Sequence, residues 1–253
     1  MSGKVFLVGA GPGAPDLLTL RAAEILRQAD VVFHDALVHP RTLALAARAE
    51  TIPVGKRSGR HSAAQKFINK RLIDAARRHR TVVRLKGGDP MLFGRAQEEI
   101  DALRRAGIEF EIVPGVTAAT AASAELGISL TRRGLARHVV FVTPRAGKGE
   151  RDNDWAASVI AADTAVIYMG AGLAETISTE LIRRGKAENT PVVLVESATL
   201  VGRRVLCGRL ADLPRLASNA GSGPALLLLG EVLKDALQRA DSIAEIEALL
   251  KRA

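Results

Sequence analysis

Short apolar runs alternate along the chain with longer segments in which apolar positions recur every three or four residues. In the first half, residues 4–8, 31–34, 81–85 and 109–113 have the length and β-branched content of buried strands. Between them, 17–28, 63–78 and 95–105 place apolar residues on one helical face and charge on the other. The second half repeats the rhythm, with strands expected at 139–142, 165–169, 192–196, 203–206 and 225–229. Its clearest helix is 173–184, closed by Gly185 where a left-handed cap is favoured, and 242–251 reads as a terminal helix. This alternation predicts an α/β fold with largely parallel sheets. A Ser/Thr/Arg/Gly-rich stretch at 127–137 follows the alanine-rich 117–124 and sets the expected seam. Two lobes result, 1–130 and 131–253, each of ordinary domain size. Two lobes imply a cleft between them, where ligands commonly sit.

Composition narrows the class. The 253 residues are 47% hydrophobic and 25% charged, which is globular and not disordered. The best apolar run, Leu226 to Leu229, lies between Pro224 and Gly230 and falls far short of the ~20 residues a bilayer helix needs. The N-terminus enters a strand-like run without a signal-peptide core, so a soluble cytoplasmic protein without a membrane partner is expected. A single cysteine, Cys207, excludes an internal disulfide and an all-cysteine metal site, and reads as a small core residue. Trp155 is expected to pack the second lobe. The five histidines show no ligand spacing, so no metal is expected. Thirty-six Lys and Arg against 27 Asp and Glu give a net charge of +9, which favours anionic partners. Aromatic residues are only 3% and the basic residues are dispersed, so a small anionic ligand is favoured over nucleic acid.

The candidate chemistry sits at strand ends. Gly9, Gly11 and Ala14 satisfy a G-x-G-x-x-A dinucleotide pattern, and Asp35 follows the next strand where a ribose-binding acid would fall. An NAD-dependent dehydrogenase competes on that ground. Pro12 and Pro15 remove N–H donors from the stretch that would cradle a pyrophosphate. They delay helix entry to Asp16, an N-cap candidate before Leu17. The loop is readable as a nucleotide loop or as a tight strand-to-helix turn. Arg84-Leu85-Lys86 runs into Gly87-Gly88-Asp89-Pro90, where the glycines let a ligand approach the backbone and Asp89 offers acceptor oxygens. A plain Gly-Gly-Asp turn explains that segment equally well. Thr117, after Val113-Pro114-Gly115-Val116, is either a helix cap or a ligand contact. Met169, after Tyr168, either packs a sulfur-containing or aromatic ligand or fills the core.

The ordered series Gly9 to Gly13, Gly55-Lys56-Arg57, Arg84 to Pro90, Phe93-Gly94-Arg95, Val113 to Ala118 and Tyr168-Met169-Gly170 closely resembles the uroporphyrinogen-III C-methyltransferases of the tetrapyrrole methylase superfamily. The likeness runs from Val5 to about Val232. It implies a two-lobed class III methyltransferase fold with S-adenosylmethionine in the interlobe cleft. Carried over by position, the resemblance implies cofactor contacts from Pro12, Gly87, Gly88, Asp89, Leu92, Thr117, Ala118, Met169 and Ala198. It further implies Asp35 as proton acceptor, Lys56 as proton donor and a homodimer. Some relatives carry an N-terminal dehydrogenase–ferrochelatase module; with a strand starting so near Met1, those activities are expected to be absent here.

The implied substrate is uroporphyrinogen III, methylated at C2 and C7 through precorrin-1 to precorrin-2 for cobalamin or sirohaem, with S-adenosylhomocysteine released. Such a polycarboxylate needs cations, which this chain supplies in loops; Arg57, Arg132 and Arg133 are the leading candidates because arginine forks bind carboxylates bidentately. Carbon methylation needs in-line alignment and proton removal, and Asp35 at a strand's carboxyl end is placed for base work or for a turn. Three positions depart from the family pattern: Arg132 where His is usual, Thr143-Pro144-Arg145 for Thr-Gly-His, and Glu196-Ser197-Ala198-Thr199 for an acidic-Asn-Gly/Ala-Thr run. A later corrin-ring methyltransferase competes within the superfamily. A ribosomal RNA 2′-O-methyltransferase or diphthine synthase would share the lobes, but the Gly55-Lys56-Arg57 and Leu85 to Pro90 series speaks against both.

Overall fold

Five strands form the first sheet, and every pair in it is parallel. They are β1 (Lys4–Gly9), β2 (Val31–His34), β3 (Glu50–Pro53), β4 (Thr81–Lys86) and β5 (Phe110–Val113), in the order β3-β2-β4-β1-β5. The computed structural model describes residues 3–55, 61–147 and 153–241. It divides into two units, Met1–Ala118 and Ala119–Ala253, so the boundary falls upstream of the 127–137 seam expected from composition.

In the first unit α1 (Leu20–Gln28), α2 (Pro40–Leu43), α3 (His61–Ala76) and α4 (Ala96–Arg105) connect the strands. Strand alternation explains the two cores. Val5, Leu7, Val31, Phe33 and Val82 pack one sheet face against Ile68 and Leu72 of α3 and Ala96, Ile100 and Leu103 of α4. Val8, Val32, Val83 and Leu85 pack the other face against Ala22 and Leu26 of α1. The neighbours β1 and β4 therefore send their chains to opposite faces. In open parallel sheets that divergence leaves a crevice at the carboxyl ends of the strands.

Entry to α1 differs from the expectation at Asp16. Pro15 opens a short 3-10 turn, Pro15–Leu17; Leu18 is extended, and Thr19 is the cap, its side chain accepting from Ala22 N–H at 3.2 Å. Strand β3 is not expected from sequence, because it is an edge strand that is mostly exposed and lacks an apolar run.

The second unit contains most of α5 (Ala118–Leu126), then β6 (Val139–Val142), α6 (Trp155–Ala161), β7 (Thr164–Tyr168), α7 (Ala174–Arg183), β8 (Pro191–Glu196), β9 (Arg204–Arg209), α8 (Leu213–Ser218) and β10 (Ala225–Gly230). Its sheet has the order β6-β7-β10-β8-β9. The expectation of a largely parallel second sheet needs correction: only β6 and β7 pair in parallel, and the other three pairs are antiparallel. The β8–β9 connection is a short loop without a helix, which permits only antiparallel pairing. β10 then inserts between β7 and β8 with opposite direction to both.

One face of this sheet is packed by Ile177 and Leu181 of α7, Val159 of α6 and Leu213 of α8, with Trp155 partly buried against the same cluster. Gly185 closes α7 as expected, at φ 93°, with Lys186 N–H donating back to Leu181 O at 2.9 Å. Cys207 is a correction: it lies half-buried on the edge strand β9, and burial raises its thiol pKa. The helix expected at 242–251 lies outside the described residues. Among those described, no helix is long and apolar enough to cross a membrane.

Candidate active site

Parallel register brings the carboxyl ends of four strands to one edge of the first sheet. Gly9 pairs with Lys86, Val8 with Val113 and His34 with Leu85. The loops after these residues carry Pro12, Asp35, Gly87 to Asp89 and Gly115 to Ala118, so these candidates converge there. Leu92 joins them through its N–H, which donates to the Asp89 carbonyl at 3.4 Å.

Backbone packing at this edge excludes side chains. A Cβ on Gly9 would lie 2.6 Å from Gly115 Cα and 2.8 Å from the Gly88 carbonyl oxygen. Gly88 adopts φ 68°, yet a Cβ there would meet no atom of the described residues within 4 Å. The loop is thus closed on the protein side and open on the other. Such an opening fits a ligand that approaches backbone closely, as S-adenosylmethionine would.

Asp89 does more locally than its sequence context suggested. Its Oδ2 accepts from Gly115 N–H at 2.9 Å and its Oδ1 from Met91 N–H at 2.7 Å. The carboxylate therefore ties the β4 and β5 loops together, and any ligand contact is made by an anchored group.

Asp35 is partly exposed and is ion-paired with Arg84, whose side chain is 3% exposed. Arg84 Nε also donates to Glu99 Oε1 at 3.0 Å, and Lys86 Nζ to Glu99 Oε2 at 3.0 Å. Desolvation lowers the Lys86 pKa, with the Arg84 charge acting in the same direction and Glu99 opposing. For Arg84 the two carboxylates outweigh desolvation, the largest single influence, and the pKa is raised. Sequence reading missed this cluster. Its signal was available: Arg84 and Lys86 share the alternation phase of buried Val82, and Glu99 falls on the apolar stripe with Ala96 and Leu103.

In the second unit β10 sets the ends of β7 and β8 side by side, Leu226 pairing with both Tyr168 and Val195. Met169 and Ala198 follow those ends. Met169, Ser197 and Thr199 all have positive φ, at 56°, 52° and 67°. Non-glycine residues held there store strain and cluster at ligand sites. Neighbouring contacts hold them in place: Thr199 N–H donates to Glu125 Oε2 at 2.9 Å, and Arg203 pairs with Glu125 Oε1 at 3.0 Å. The Tyr168 hydroxyl oxygen accepts from Ala119 N–H at 3.1 Å. Met169 is 44% exposed, so the core reading of it is excluded.

Arg132 and Arg133 lie in an exposed turn, with Arg132 Nη1 3.7 Å from Asp235 Oδ2. Lys56 and Arg57 lie outside the described residues.

The sequence model of the tetrapyrrole (corrin/porphyrin) methylases matches residues 4–214. The chain belongs to this family. It carries the methyltransferase domain of that family. The siroheme synthase of Pseudomonas fluorescens is 48% identical over 235 residues, covering 92% of this chain and 51% of that protein. Siroheme synthase 1 of Yersinia enterocolitica is 50% identical over 232 residues, covering 91% and 49%. The chain thus spans about half the length of these curated relatives. Among solved structures, the uroporphyrin-III C-methyl transferase of Thermus thermophilus complexed with S-adenyl homocysteine superposes with TM-score 0.81 at 41% identity, covering 92% of this methylase and 99% of that chain. A cobalt precorrin-4 methyltransferase superposes at 0.79 with 30% identity, covering 91% and 95%.

Proposed function

We propose that this methylase adds two methyl groups to uroporphyrinogen III, at C2 and C7 by way of precorrin-1, to give precorrin-2. The observation that supports this most is the presence of Asp35 at the same sheet edge as the open glycine loop, in a chain 41% identical to a uroporphyrin-III methyltransferase along nearly that protein's whole length. S-adenosylmethionine supplies a sulfonium methyl, and its carbon–sulfur bond breaks as a pyrrole carbon attacks, the sulfur keeping the bonding pair.

The residues of this chain then have separable tasks. Pro12, Gly87, Gly88, Asp89, Leu92, Thr117 and Ala118 hold the cofactor from the first unit, and Met169 and Ala198 from the second. Each transfer leaves the tetrapyrrole cationic, and Asp35 accepts the proton that restores neutrality. Lys56 donates a proton during tautomerisation. Arg57, Arg132 and Arg133 bind substrate carboxylates, for which the bidentate fork is suited. The protein acts as a cytoplasmic homodimer, and its product is a precursor for cobalamin or sirohaem.

The test is anaerobic incubation with uroporphyrinogen III and S-adenosylmethionine, followed by mass spectrometry of the tetrapyrrole. A gain of two methyl groups is expected. No gain while S-adenosylhomocysteine still binds would overturn the substrate and favour a later corrin intermediate. A gain of one methyl would overturn the double methylation alone.

A further inference from the structure

Inside the first unit a chain of charges runs from the core to Asp35. Glu99 is fully buried, and the side chains of Arg84 and Lys86 are each 3% exposed, while Asp35 is 30% exposed. Only the last carboxylate in the series reaches solvent. Glu99 receives Lys86 on one oxygen and both Arg84 and Gln65 on the other, at 3.0, 3.0 and 3.2 Å. Gln65 in turn donates to Asn69 Oδ1 at 3.0 Å.

Arg84 has little freedom in this setting. Nε is fixed by Glu99, and Nη1 donates to the carbonyls of Phe33 and Leu85, at 3.4 and 3.1 Å. Nη2 is left for Asp35 Oδ1. The planar guanidinium therefore transmits the orientation of a core carboxylate to a carboxylate at the sheet edge. Among the described residues Asp35 Oδ2 accepts no hydrogen bond.

Burying ions is expensive, several kcal/mol each, and apolar residues of similar volume serve stability as well or better. Two buried cations against one buried anion also leave an excess positive charge that Asp35 balances from outside the core. Stability alone does not account for a cluster completed by a surface-reaching acid.

We propose that Arg84 is a positioning residue for methyl transfer: fixed by Glu99, it holds Asp35 by Oδ1 and leaves Oδ2 as the atom that takes the proton. The proposal rests on the reading of Asp35 as proton acceptor. A lysine at position 84 would keep the charge but could not span Asp35 and Glu99 together, since an ammonium lacks the planar fork.

The experiment compares Arg84→Lys, Asp35→Asn and the double variant by single-turnover and steady-state methylation of uroporphyrinogen III. Melting temperature and S-adenosylhomocysteine calorimetry serve as fold controls. Arg84→Lys is expected to lower kcat at least tenfold while KM for both substrates stays within twofold. In the Asp35→Asn background the same change should cost less than a further twofold, because the acid it positions is already gone. If the two losses multiply instead, or if KM rises while kcat is kept, the positioning role is overturned and Asp35 keeps its own. If Asp35→Asn turns over like the parent protein, the reading of Asp35 fails by itself and the proposal falls with it. Should Arg84→Lys not fold, Glu99→Gln enters the same cycle with the same expected non-additivity, and multiplicative losses there overturn the proposal equally.

Discussion

Gly11 and Gly88 exchange both of their backbone hydrogen bonds. Gly88 N–H donates to the Gly11 carbonyl at 2.7 Å, and Gly11 N–H to the Gly88 carbonyl at 3.2 Å. This isolated antiparallel bridge lies just beyond the parallel β1–β4 pairing and turns two glycine loops into one surface. It explains why Pro12 is tolerated: the hydrogen bonds that shape the loop come from Gly11, and none is asked of the next residue.

Gly88→Ala separates strain from ligand approach. A left-handed backbone costs a non-glycine residue about 1–2 kcal/mol, and among the described residues nothing would clash with the new methyl. Urea denaturation should register a loss of about that size. Calorimetry with S-adenosylhomocysteine should show affinity falling more than tenfold, because the methyl projects into the open side. Unchanged affinity would mean that no ligand approaches this backbone.

Gly9→Ala should behave differently. Its methyl would meet the backbone of Gly115 and Gly88, which cannot swing aside as a side chain can. Overpacking of this kind costs about 1–3 kcal/mol. The melting temperature should fall further than for Gly88→Ala, and a variant as stable as the parent would contradict the packed loop.

Glu99→Ala removes the buried anion that pairs with both Arg84 and Lys86. Breaking a buried charge cluster in this way costs about 3–5 kcal/mol. Replacing Lys86 by Met in the same protein should recover part of that loss, since one stranded cation disappears. Urea titrations of both variants check it: no recovery would mean that Lys86 is solvated by other means.

Asp89→Ala should lower stability as well as cofactor affinity, because the carboxylate holds Gly115 and Met91 N–H groups. Hydrogen bonds to a charged acceptor contribute about 1.5–3 kcal/mol, less where solvent reaches them, so a loss near 2 kcal/mol is expected. Weakened S-adenosylhomocysteine binding with full stability would show that the two bonds are not maintained in solution.

The first unit was largely legible because its strands are apolar runs separated by amphipathic helices, and parallel register follows from that pattern. Edge strand β3 escaped notice since Glu50 to Pro53 bury little. The second sheet departs from that pattern at one connection, where Ser197 to Arg203 joins β8 to β9 without a helix and reverses the chain. At the site, glycines and Asp35 stand out in sequence because loops display them. The charges behind them, Arg84, Lys86 and Glu99, are revealed only when alternation and helical spacing are asked which residues point inward. Local hydrogen bonding was the other hidden layer: Thr19 rather than Asp16 caps α1, and Asp89 is tied to Gly115, a residue distant in sequence.

Acid should expose the role of Glu196 at the end of β8. Its oxygens accept from Gly221 N–H at 2.8 Å and Gly223 N–H at 2.7 Å, fixing the loop before β10. Those two donors hold its carboxyl below the ordinary value of 4.5, against the opposing effect of burial. A carboxylate depressed in the folded state adds stability that is fully present above its unfolded value and is lost as pH falls through the folded one. Glu196→Gln should therefore melt below the parent at neutral pH, by a margin that is constant down to about pH 5 and then narrows as the parent is protonated. Thermal midpoints of both proteins between pH 7 and pH 3 decide the matter. A margin that persists undiminished at the acid end would mean that the two glycine N–H groups do not favour the ionised form.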